Sequence, residues 1–331
     1  MSYTSSEHAP LTAGRLSSVT DATLWRFNKY AAALHFVQGT AMLVASQAVP
    51  SIKAFKKTLH VSFLAYDNAT RALVPATKPA FDVEIGVAAA VFVLLSAVAH
   101  AAVLLCWNTY LRDVNRGINR ARWYEYALSS SVMICSIAVL FGCYDLGSLL
   151  LMFVVNAVMN LCGLLMEMMN PPDRDRVEWT PFVVGCVAGA APWIVVLMYF
   201  FAGGNYSEIP GFVYGILGGY FVFFNTYVRT TVPIVLAIVV MLKAVLCSFL
   251  CCVADPVAFF YLFFFEPSFN LCSNHYFHPC RFPVNMALQY ARVGAWEDYR
   301  VGEKTYIVLS LASKSLLTWL VFGGTFQPNG N

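Results

Sequence analysis

Lys314 lies in the run "SLASKSLLTW", residues 310–319, inside the last long apolar stretch of the chain. A lysine near the centre of a membrane-spanning helix costs about 2.5–3.5 kcal/mol to insert, so it needs a partner or a task. Two chemistries suit a buried amine. It can pair with a carboxylate to hold helices together, as transporters and channels do, or it can condense with an aldehyde to form an imine. Tyr306, Ser310, Lys314 and Thr318 recur every four residues and form one polar stripe on the helix. A cationic imine would also need a nearby negative charge to stay protonated.

Few carboxylates are placed to supply that charge. Glu125, in "RARWYEYALSSS", stands at the start of an apolar stretch with Ser129 one turn on, and suits the role best. Its plainer reading is an interfacial glutamate paired with Arg122. Glu167, in "LLMEMMNPP", reads as a structural carboxylate at a helix end. His35 and Gln38 share a face of one apolar stretch and His100 lies within the next. Asn156 and Asn160 share a face of another, beside Met159 and Gly163. Each is explained singly by hydrogen bonding between helices. Together with Lys314 and Glu125 they outline a polar interior flanking an apolar pocket. Pro192, in "GAAPW", predicts a kink.

The elements that position these residues follow from composition. Hydrophobic residues make up 59% of the chain and charged ones only 12%, where soluble domains carry roughly 25% charge. Apolar runs of spanning length predict an all-α, multi-pass integral membrane protein of the plasma membrane or an endomembrane. Spans are expected near 31–48, 85–107, 122–142, 146–168, 181–203 and 305–322, with the region 211–290 contested. Residues 1–25 form a polar tail without the layout of a signal peptide. We find no HExxH, GxSxG or P-loop motif and expect no enzyme, and the net charge of +3 gives no sign of nucleic-acid binding.

Residues 227–281 do not match the rest. They hold five of the ten cysteines, and the Cys272, His275, His278, Cys280 cluster has metal-ligand spacing. A second reading is preferred. The codons of Thr226-Tyr227-Val228 can contain a splice donor, a Phe-, Leu- and Ser-rich run can encode a pyrimidine tract, and Cys280-Arg281 can encode an acceptor. Excision would rejoin a threonine codon in frame and fuse "GFVYGILGGYFVFFNT" to "FPVNMALQY" as one helix of spanning length. Residues 227–281 are therefore expected to be a translated, retained intron. On that reading 26–226 hold helices one to six in part, and 282–331 hold the end of helix six, a loop, helix seven and a short tail.

With the insert removed seven spans are expected. The connections 108–121, 169–180 and 291–304 are rich in arginine, as is the N-terminal flank, whereas those near 143–145 and 203–210 lack Lys and Arg. This predicts a seven-helix bundle with its N-terminus cytoplasmic and its C-terminus extracellular. The long connection 49–84 carries several basic residues but weighs little in that rule. The sequons at Asn68 and Asn205 fall in expected outside loops.

These stretches resemble heliorhodopsins, retinal-binding proteins oriented opposite to other microbial rhodopsins. The resemblance is carried by "LHFVQG", "RWYEYALSSSVM", "NAVMNLCGLLME" and "FVYGILGGYFVFFN", and most densely by "YRVGEKTYIVLSLASKSLLTWLVFGGTF". It implies all-trans retinal on Lys314 as a protonated Schiff base, with Glu125 as counterion and Ser310 hydrogen-bonding nearby. It implies chromophore contacts at Tyr126, Ser129, Asn156, Met159, Gly163, Pro192 and Trp319. It also implies a polar, water-containing cavity at His35, Gln38 and His100. The long first loop would form a ribbon that contributes to a homodimer in the bilayer. The implied function is a slow, non-pumping light sensor or regulator with an unknown signalling partner. A light-gated proton conductor, or a non-photochemical transporter using a Lys–Glu pair, are the alternatives.

Overall fold

The computed structural model describes residues 17–202, Val213 and 282–326. The region 227–281 with its Cys/His cluster, the first part of the expected sixth helix, the Asn205 sequon and most of the polar tail lie outside the described residues. In chain order the elements are α1 (Asp21–Ala48), α2 (Pro50–Ala54), β1 (Lys56–Asp67), β2 (Ala72–Glu84), α3 (Ile85–Leu105), α4 (Trp107–Asn115), α5 (Arg120–Leu140), α6 (Leu146–Met169), α7 (Thr180–Ala202), α8 (Phe282–Tyr290), a 3-10 turn (Gly294–Glu297) and α9 (Tyr299–Gly324).

Among the described residues five helices, α3, α5, α6, α7 and α9, are long and apolar enough to cross a membrane. Their starts are set by local chemistry. Asn119 caps α5 by accepting from Arg122 N at 3.0 Å, and Asp145 caps α6 by accepting from Ser148 N at 2.8 Å. Asp298 caps α9 by accepting from Arg300 N at 2.9 Å. Each satisfies a backbone donor that the first helical turn leaves unpaired. Thr20 caps α1 in the same way, so that helix begins at Asp21, ahead of the expected apolar span. Pro192 lies inside α7, where its ring removes one helical hydrogen bond.

From α1 to α7, long helices adjacent in the chain pack as neighbours. α1 lies on α3, α3 on α5 and α9, α5 on α6, and α6 on α7, while α9 closes back onto α1. One apolar core holds Met42, Ile85, Ile134, Ile137, Leu317 and Val321. Two smaller cores flank the other ends of the helices, around Leu24, Tyr110 and Ile307 and around Trp123, Met166 and Tyr306. Outward positions are also apolar: Leu151 is 67% exposed and Val187 70%. A helix wall that is greasy on both sides is what lipid requires.

The long connection 49–84 is largely an antiparallel hairpin. Its register runs from Lys56 opposite Glu84 to Asp67 opposite Ala72, with an irregularity between Leu59 and His60, where Ala80 is left without a partner beside Pro79. Its base is pinned to the bundle by a short parallel bridge between His60 and Asp145, with His60 N donating to Tyr144 O at 2.9 Å. The expected arginine-rich connection 108–121 is also partly ordered, since α4 is a short amphipathic helix that buries Tyr110 and Val114.

Candidate functional site

α9 turns its polar stripe inward. Tyr306, Ser310, Lys314 and Thr318 are all buried. At the centre Lys314 Nζ forms an ion pair with Glu125 Oε1. The same Nζ donates to Ser96 Oγ at 2.8 Å, and Ser96 Oγ donates to Glu125 Oε1 at 2.7 Å. Three helices, α3, α5 and α9, therefore meet at one amine. Nζ also lies 4.8 Å from the Tyr126 ring centroid and 5.7 Å from that of Phe92, whose faces attract a cation and exclude water. Removing one member of such a buried pair leaves the other charge uncompensated, at a cost of about 3–5 kcal/mol.

The expected alternative, Glu125 paired with Arg122, is corrected by this geometry. Arg122 stands in the first turn of α5 and pairs with Glu167 and Glu303. Side chains on a helix lean toward its N-terminus, so Arg122 reaches the helix ends while Glu125, three residues on, meets α3 and α9. Glu167 is thus more than a helix-end carboxylate: it is 2% exposed and its Oε2 also accepts Asn119 N at 2.8 Å. Arg122 is 7% exposed, so it does not act as a loop charge at the membrane edge.

The remaining expected residues divide into groups. His100 Nδ1 shares a hydrogen bond with Asn28 Oδ1 at 2.8 Å, and its ring stacks on His35 with centroids 6.0 Å apart. Both ring nitrogens of His35 and Oε1 of Gln38 are buried with no hydrogen-bond partner among the described residues. Asn156 Nδ2 donates to Ser130 Oγ at 2.7 Å and Ser131 Oγ at 3.0 Å, tying α6 to α5. Gly163 gives way to the Trp123 indole, which a methyl group there would overlap, and Met159 lies across Gly189 of α7. Pro192 is buried on α7, and Trp319 packs with Phe322 at the edge of the largest core. Ser129 and Ser310 are buried one turn from Glu125 and Lys314 respectively, but the hydroxyl that bridges the pair is that of Ser96.

Sequence reasoning missed Ser96, Asn28 and Glu303. Ser96 precedes His100 by one turn on the same face of α3, and Asn28 precedes His35 by two turns on α1; that helical spacing was the available signal. A small cavity reaches Asn28 and Glu303. It is lined by Asn28, His100 and Glu125 toward the amine, and by Asn119, Arg122 and Glu303 toward the helix ends. Its free volume of ≈ 30 Å³ has room for one or two waters with several polar partners.

These features define an integral multi-pass membrane protein with a desolvated amine and carboxylate at its heart. The chain belongs to the heliorhodopsin family, whose model, described as Heliorhodopsin, matches residues 24–237 and 266–326. The match reaches every helix described above, beginning three residues into α1, and breaks inside 227–281. No curated protein matches the chain.

The residues fit the retinal that the family implies. A primary amine is the group an aldehyde condenses with, and this one is buried, faces aromatic rings and has its counter-charge in place.

Proposed function

We propose that this protein is a light sensor or regulator in which Lys314 carries all-trans retinal and Glu125 is the counterion. Its place in the heliorhodopsin family makes it a retinal photoreceptor-type protein; the sensory role, the slow non-pumping cycle and the residue roles are our reading. Retinal supplies light-driven isomerisation of a conjugated chain. The protein's residues do the rest. Lys314 Nζ holds the proton, and Glu125 compensates the charge. Ser96 bridges them and fixes the direction of the N–H, while Tyr126 and Phe92 keep bulk water away. Motion at Nζ relative to Glu125 weakens the ion pair and frees the proton to move.

The observation that carries this reading is the buried Lys314–Glu125 pair bridged by Ser96. Seven helices with a cytoplasmic N-terminus are proposed on the charge pattern of the connections. The exposed apolar residues Phe63, Leu64 and Tyr66 of the hairpin support a homodimer through β1 and β2, since a lone two-stranded hairpin is marginal in water. The interruption of the family match between 237 and 266 supports an insertion within 227–281, although the match reaches into both flanks of that segment.

The visible spectrum of membranes given all-trans retinal tests the function. A band is expected with Lys314 and none with Lys314→Ala. A folded chain that stays colourless would instead make the pair a structural or transport element.

A further inference from the structure

Below the Lys314 site lies a second buried charge cluster that the proposed photochemistry does not yet use. Arg122 lies between Glu167 and Glu303, paired with both. Glu303 Oε1 also accepts from Asn119 Nδ2 at 2.6 Å and from the Tyr110 hydroxyl at 3.0 Å. Glu167 Oε1 accepts from the Tyr299 hydroxyl at 3.2 Å. The guanidinium is stacked 4.0 Å from the Tyr306 ring centroid and 5.0 Å from that of Trp123. Glu303, Glu167 and Arg122 are 1%, 2% and 7% exposed.

Charge counting makes this cluster unusual. Two carboxylates face one guanidinium, and the other partners from α4, α5 and α9 are neutral hydroxyls and amides. Among the described residues, helix α8 adds the neutral Met286 and Tyr290 to the surrounding apolar core. With both glutamates ionised, one buried negative charge is surplus, held by the donors that converge on it from Asn119, Tyr110 and Tyr299. One added proton cancels it. One cavity is lined both by Glu125 and His100 and by Arg122 and Glu303, which offers a route between the amine's counterion and the cluster.

We propose that the Arg122–Glu167–Glu303 cluster receives and stores the proton that leaves Lys314 Nζ, keeping it inside the protein. This rests on the photoreceptor reading above. The proton leaves Nζ, which keeps its electron pair, and passes through cavity water. It ends as an O–H on one of the two glutamates, and no redox partner is needed. The return transfer restores the resting state. His100 and His35 are the competing acceptors near the amine: a proton there would form an imidazolium beside the Glu125 carboxylate, whereas a proton on the cluster removes its surplus anion and appears as a carboxylic-acid O–H.

Light-minus-dark infrared spectra of the retinal-loaded full chain, read beside its visible band, test the proposal. As Nζ deprotonates, a carboxylic-acid C=O band should rise with the same time constant and vanish in Glu303→Gln or Glu167→Gln. Deprotonation of Nζ without such a band in the wild-type chain would overturn the proposal, as would a band untouched by both substitutions. A chain that takes up no retinal defeats the photoreceptor reading instead. The cluster is then read by infrared pH titration of the chain alone. One shared carboxyl band lost in either variant supports the proton site; two independent bands, or none, overturn it.

Discussion

Lys314 and Glu125 were legible because each places a charge in an apolar run, an expense that selects for a partner. Ser96 was not, since a serine costs little inside a spanning helix and bonds readily to its own backbone. Its role appears only when α3, α5 and α9 meet. The same holds for Glu303, which in sequence looks like one more charge beside a polar connection. The counterion role proposed for Glu125 has a sharp consequence: Glu125→Gln in the retinal-loaded chain should move the visible band to longer wavelength, because a neutral amide no longer localises the positive charge at Nζ. Ser96→Ala, which leaves the ion pair, should give a smaller shift. An unmoved Glu125→Gln band would assign the counterion elsewhere. At Gly163 the constraint is steric. Gly163→Ala drives a methyl group into the Trp123 indole and should cost about 1–3 kcal/mol by overpacking. Thermal unfolding in detergent would read this, and an unchanged midpoint would mean the indole moves aside freely.

At the scale of elements, the long helices were predicted to within a few residues where apolar length alone decides, as for α3, α6 and α7. Shorter elements escaped notice. The hairpin carries Pro75 and Pro79 in its second strand and no glycine in its turn, so it lacks the usual strand and turn signals. α4 is too short for its periodicity to stand out. Asp145 links two of these elements, capping α6 while its backbone meets β1 at His60. The Ser148 N–H and hydroxyl hold its carboxyl below the usual aspartate range. A lowered native pKa means that its contribution is complete above the unfolded value of about 3.9. It is lost as pH falls through the native value. Asp145→Ala should therefore cost about 1 kcal/mol at neutral pH and lose that penalty in acid. Amide exchange at Ser148 and Leu149 would show it; equal exchange in both proteins at neutral pH would discount the cap.

For the whole molecule, the multi-pass architecture and family were readable from hydropathy and from the motif around Lys314. The meeting of three helices at one amine was not, because helix–helix register in lipid depends on small residues and buried polar contacts spread over the chain. The proposed seven-helix bundle requires residues 211–226 to continue into α8, which the retained-intron reading provides by removing 227–281. Amplification across that junction should give a mature transcript lacking the segment; a message that keeps it would leave the sixth helix interrupted and sink the reading. The central claim is the covalent attachment of retinal to Lys314. Its most direct test is reductive trapping of the retinal-loaded protein followed by peptide mass spectrometry. The account predicts a retinyl adduct on the peptide containing Lys314 and on no other lysine. An adduct elsewhere, or none in a coloured protein, would contradict it.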